Sequence, residues 1–202
     1  QMLLVLALAG TASQVFFPFL IIYIQRSLRI EAYPLVLAVV LVVASVVSIL
    51  GGRVIDRVGK LRAILPAFGI FAAGLLAMVV VRDLVPVIVA GSVMMSGFLL
   101  SFAAIAATIR DLTPADRAGT VQGIRMIASV LVPMVIGPWI GATVISGVGE
   151  TYVDLGVEKQ VPSSAIFVAA LVVLALAVPV VAFLLRTVRG AATVVEEREE
   201  VL

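Results

Sequence analysis

Apolar residues come in six long blocks, at 2–24, 33–50, 63–81, 84–108, 120–145 and 165–185, separated by short stretches that hold most of the charge. A helix needs about 20 residues to cross a bilayer core, and each block falls within the spanning range. Backbone N–H and C=O groups in lipid must bond within their own segment, so the blocks predict helices. A membrane β-barrel would require segments of alternating polarity, and none occur. The pattern therefore predicts an all-α membrane protein. Residues 1–189 form one domain of six transmembrane helices, and residues 190–202 form a tail.

Polarity inside the blocks divides them into two triplets. Spans three and six carry essentially no polar side chain. Span one holds Thr11, Ser13, Gln14 and Tyr23, span two Ser45 and Ser48, span four Ser92, Ser96 and Ser101, and span five Gln122, Arg125 and Ser129. A helix apolar on all sides suits lipid and packing, whereas polar groups suit a cavity or a partner helix. Two triplets with an outer third member predict a three-plus-three inverted repeat.

Charge sets the orientation. One side carries Arg53, Arg57, Lys60, Arg62, Arg110, Arg117, Arg125, Arg186, Arg189 and Arg198; the other carries Arg26, Arg29, Arg82 and Lys159. The excess of Lys and Arg predicts that the first side, with the C-terminus, is cytoplasmic. The acidic tail at Glu196, Glu197, Glu199 and Glu200 is then a frayed or disordered cytoplasmic end, and residues 147–162 form the longest outer loop. The chain opens on Gln1 and runs directly into an apolar block, so the native polypeptide is expected to continue upstream.

Composition removes several chemistries. Hydrophobic residues make up 63% and charged residues 13%, too apolar for one soluble core. The chain has no His and no Cys, which excludes Ser-His and Cys-His nucleophiles and the usual zinc sites. No pair of carboxylates lies inside a span, so an intramembrane aspartyl hydrolase is excluded too. A net charge of +2 gives no footprint for nucleic acid. No metal or cofactor is expected.

Two loops on the basic side carry spacing beyond positive-side anchoring. Residues 52–60 place Gly52, Asp56, Arg57, Gly59 and Lys60 in the pattern G-x-x-x-D-R-x-G-[RK], with the glycines suited to tight turns. Residues 110–119 hold Arg110, Asp111, Asp116 and Arg117, and Thr113 to Asp116 fits a variant capping box that would start span five. The first pattern, between spans two and three, resembles the loop motif of the major facilitator superfamily, and residues 110–119 are similar to a stretch of the same family. In span five, Gly137-Pro138-Trp139-Ile140-Gly141 resembles a G-P-x-x-G pattern of that family. Pro133 stands where the longer pattern has Gly, so antiport is not implied.

The resemblance spans the chain and implies the C-terminal six-helix half of a major facilitator fold. It implies a loop that latches the two halves, with Asp56 meeting a helix end in the opposite half. Arg110, Asp111, Asp116 and Arg117 are placed to exchange ion pairs with Asp56, Arg57 and Lys60. The texture of span one, the outer loop and span six resembles the sugar–cation symporter branch. The expected partners are a small-molecule substrate, a coupling cation if transport is coupled, membrane lipid and the N-terminal half of the same polypeptide.

By the same resemblance spans one and four line the central cavity. Gln14, Phe17 and Tyr23 are the candidates on span one, and Ser92 and Ser96 on span four. Gln14 and Phe17 lie three apart and share a face, an amide beside a ring, which suits a sugar. Pro18 is expected to break the helix there. Each Ser can instead bond back to its own helix. No Asp, Glu or Lys lies deep in a span, so a coupling site lies in the other half or transport is uncoupled. The function expected is secondary active transport by alternating access. The alternative is a scaffold or channel-like six-helix protein that homo-oligomerises, although the outer loops offer no pore loop.

Overall fold

Each apolar block forms a helix in the computed structural model of the chain, which describes residues 1–114, 117–146, 151–154 and 157–199. Helix α1 (Met2–Ile22) continues as a π-helical turn, Tyr23–Ser27. It does not break at Pro18, which only removes the N–H that would have met the Gln14 carbonyl. Helix α2 is Tyr33–Val58, α3 is Lys60–Val80 and α4 is Leu84–Asp111. Span five is built of α5 (Ala118–Met126), a π turn (Ile127–Leu131) and α6 (Val132–Ile145). The π turn ends two residues before Pro133, whose missing N–H already interrupts the α-helical ladder there. The sixth span opens helix α7, Ala165–Glu199. Six helices are long and apolar enough to cross a membrane, and the chain is an integral multi-pass membrane protein.

Three boundaries differ from the expectation, each for a local reason. Helix α2 runs past Leu50 through Gly52 and Asp56 to Val58, so the expected loop shrinks to Gly59. Of the two glycines in the loop pattern, Gly59 takes a positive φ, 99°, which a side chain would strain, and Gly52 is an ordinary helical residue. Thr113 does not cap span five: its hydroxyl donates to the Ile109 carbonyl at 2.6 Å and closes the end of α4. Arg117 flanks α5 with no side-chain cap, and Asp116 lies outside the described residues. The acidic tail does not begin as coil, since α7 extends through Glu199, a stretch rich in good helix formers.

The outer loop folds into a feature its sequence did not announce. Strands β1 (Thr151–Asp154) and β2 (Val157–Gln160) pair antiparallel, Tyr152 opposite Lys159. The Arg26 guanidinium lies 5.4 Å from the Tyr152 ring centroid, a cation–π contact that ties the hairpin to the end of span one.

Packing between spans obeys an exchange rule. Span one packs on spans five and six, and span four packs on spans two and three. Spans five and six touch, as do two and three; spans one and four touch, as do three and six. Swapping one with four, two with five and three with six maps this set onto itself. Successive spans run in opposite directions, so the swap is an inversion and the two triplets form an inverted repeat. Of the most apolar stretches of spans one and four, 56% and 61% is buried, against 17% for span two and 22% for span five. Spans one and four form the centre.

The centre is aromatic. Phe16 is fully buried, 5.7 Å from Phe167 and 6.3 Å from Phe71 by ring centroid, joining spans one, three and six. Phe17 meets Phe98 of α4 edge-on at 5.2 Å. Such pairs contribute about 0.5–1.5 kcal/mol each beyond burial. Helices α3 and α4 approach with Gly74 against the Met94 backbone and Gly97 against the Phe71 backbone, where a Cβ has no room.

Candidate functional site

The open side of α1 determines which candidates face outward from the helical unit. Leu4, Pro18, Ile21 and Gln25 are exposed and Gln14 and Phe17 half-buried, so both candidates lie along one open stripe at helical spacing. Their neighbours differ. Gln14 sits against Gly137, and Gly141 lies against the Val15 carbonyl and the Phe19 ring, so the G-P-x-x-G segment is the surface on which span one rests. Phe17 turns toward α4.

The other three candidates lie inside the unit. Tyr23 is 1% exposed, its ring edge-on to Phe167 at 5.1 Å. Its hydroxyl is 3.5 Å from the Met78 carbonyl and accepts from Arg82 Nη1 at 3.3 Å. The reason is periodic: Tyr23 is two helical turns beyond Phe16, and both rings meet Phe167. Arg82 also lies 3.5 Å from the Ser164 hydroxyl, so this knot joins the ends of spans one, three and six. The Ser96 hydroxyl donates to the Ser92 carbonyl at 2.6 Å, and the buried Ser92 hydroxyl has no partner among the described residues.

Clefts lie where the inverted repeat leaves consecutive spans apart. Toward the hairpin end, a cleft of about 220 Å³ between spans one and two is walled by Phe17, Ile21, Val36, Leu37, Met94 and Met95. At the opposite, basic end, a cleft of about 480 Å³ lies between spans four and five. Its walls are Ala103, Ala106 and Ala107 of α4 and Ala118 and Val121 of α5, and its polar groups are Arg110, Thr113, Gln122 and Arg125. The exchange rule relates the span pairs that wall the two clefts, one with two and four with five, although span four also lines the first. Gln122 and Arg125, three apart in an apolar helix, are the sequence signal of this polar face, and the cleft itself forms only where spans four and five part.

The basic end also carries the loop pattern. Lys60 Nζ lies 2.6 Å from Asp111 Oδ2, joining the start of α3 to the end of α4. Asp56 and Arg57 are exposed in the last turn of α2. A carboxylate there meets the negative end of its own helix dipole, so Asp56 gains nothing locally and suits a partner outside the unit. Arg110 lines the basic cleft, and Arg117 is engaged within the structure.

No curated protein matches the chain. The family model of the Major Facilitator Superfamily matches residues 2–201. With six spanning helices in an inverted three-plus-three repeat, the chain belongs to the Major Facilitator Superfamily, a family of membrane transporters, and has the six-helix half of its fold.

Proposed function

We propose that the chain is one half of a secondary active transporter that moves a small polar organic solute, a sugar or similar molecule, by alternating access. The observation that carries this reading is the inverted packing, with clefts at opposite ends and an open stripe on span one holding Gln14 and Phe17. A site between two inverted triplets opens to one side or the other as the halves rock. The Lys- and Arg-rich end faces the cytoplasm, and the bilayer is the cell membrane. The exposed apolar residues of α2 and span five, such as Val42, Val46, Ile124 and Leu131, face the opposite six-helix half and lipid. Asp56, Arg57 and Lys60, on the segment that begins at Gly52 and turns at Gly59, form the latch toward the other half at the cytoplasmic end, and Asp111 holds Lys60 within this half.

The test uses the absence of cysteine in these 202 residues, with any cysteine elsewhere in the polypeptide replaced by serine. Ile21→Cys and Ala107→Cys place single thiols near opposite ends of the unit. In vesicles holding the full-length protein, an impermeant maleimide applied from each side should label them in alternation, with solute shifting the balance. Simultaneous labelling of both would indicate a channel. Unchanging labelling with no solute uptake and self-association of the protein would favour the scaffold.

A further inference from the structure

The two clefts related by the inverted repeat have opposite chemistry, and the difference is informative. The hairpin-end cleft is apolar throughout, so the fold does not demand charge at this position. The basic-end cleft carries two guanidinium groups, Arg110 and Arg125, with the Gln122 amide and the Thr113 hydroxyl. Positive-side anchoring accounts for Arg110 at the end of α4. Arg125 adds to the same excess, but it lies seven residues after Ala118, ~10 Å along the helix, and is half-buried, so its backbone sits deeper than that of a terminal anchor. A cation placed within a spanning helix is costly unless it meets a partner or a water-filled cavity. Among the described residues, no carboxylate pairs with Arg110 or Arg125; Asp111, next to Arg110, is held by Lys60, and Asp116 lies outside the described residues.

The geometry around the charges leaves room for a ligand. Ala103, Ala106 and Ala107 recur at helical spacing, and Arg110 ends that stripe; Ala118, Val121, Gln122 and Arg125 repeat the same spacing on α5. Small residues on one wall keep the cleft open, at about 480 Å³, within the range of small-molecule sites. Each guanidinium offers paired N–H donors that match a carboxylate or a phosphate.

We infer that the cleft between spans four and five is a binding site for an anionic group, a carboxylate or phosphate, held by Arg110 and Arg125 with Gln122 as a further donor. The inference rests on the transporter reading only in naming the solute as carrier of that anion, which would make it a sugar acid or sugar phosphate rather than a neutral sugar. An anionic phospholipid headgroup offers the same chemistry at the same depth.

The experiment uses the full-length protein in phosphatidylcholine nanodiscs, with thermal unfolding as readout and glucuronate, inorganic phosphate and glucose as probes. Glucuronate or phosphate should raise the melting temperature in the wild type and in Arg62→Gln, whose charge lies outside the cleft, while glucose should not. Arg110→Gln and Arg125→Gln should each weaken the anion's affinity about tenfold or more. Arg125→Lys should retain part of it. Phosphatidylglycerol nanodiscs that stabilise the wild type but not the two Gln variants, with no response to soluble anions, would assign the site to a lipid headgroup. No response of the wild type to glucuronate, phosphate or phosphatidylglycerol would overturn the inference, leaving the Arg pair to a carboxylate of the opposite half. Alternating thiol labelling without any anion response defeats this inference alone. Anion binding without alternation defeats the transporter reading alone.

Discussion

Lys60 Nζ sits 2.6 Å from Asp111 Oδ2, and this contact closes the basic end of the α3–α4 pair. The two side chains are 30% and 51% exposed, so solvent screens them and the bond contributes under about 1 kcal/mol to stability. Lys60→Ala, Asp111→Ala and the double variant should therefore melt within a few degrees of the wild type. If the pair is remade during the transport cycle, their uptake rates should fall much further than their stabilities. Thermal unfolding and vesicle uptake on the same samples check both.

Asp56 offers a sharper version. Its position in the last turn of α2 is locally unfavourable for a carboxylate, so removing the charge should not harm the half itself. Asp56→Asn should insert and melt normally while impairing transport. Uptake equal to wild type would remove Asp56 from the latch.

Gln14→Ala should weaken solute affinity roughly two- to tenfold, the range of one neutral hydrogen bond. Gln14 also packs on Gly137, so affinity alone is ambiguous. Gly137→Ala pushes a methyl into the same contact without removing the amide. It should lower stability more than Gln14→Ala does, by about 1–3 kcal/mol for an overpacked site. Binding measured with thermal unfolding separates the two roles.

Gly97→Val and Gly74→Val should each destabilise the protein by about 1–3 kcal/mol or more, because a Cβ at either position meets backbone rather than a movable side chain. Gly52→Ala is the control, since a Cβ at Gly52 meets nothing within 4 Å and the residue is helical. It should be neutral or slightly stabilising. Unfolding in detergent reads all three.

Tyr23→Phe removes one hydroxyl from the knot with Arg82 and leaves the ring on Phe167. The expected loss is about 0.5–1.5 kcal/mol of stability, with solute affinity unchanged. A drop in affinity with stability intact would return Tyr23 to the cavity wall.

Which segments enter the bilayer, and that they fall into two triplets, was legible from the chain alone. Both properties depend on the polarity of residues near one another in sequence, summed over a turn or a span. The loop spacing around Asp56 and the basic-side excess were legible for the same reason. Tertiary structure decided what each helical face meets. Gln14, Phe17 and Tyr23 belong to one helix, yet the first packs on Gly137, the second turns to Phe98 and the third is enclosed by Met78, Arg82 and Phe167. The spacing of Gln122 and Arg125 marks a polar face on span five, but the basic cleft exists because spans four and five diverge, a matter of how distant helices pack. Local composition determined the partition between water and lipid; contacts between residues far apart in sequence determined where the polar groups came together.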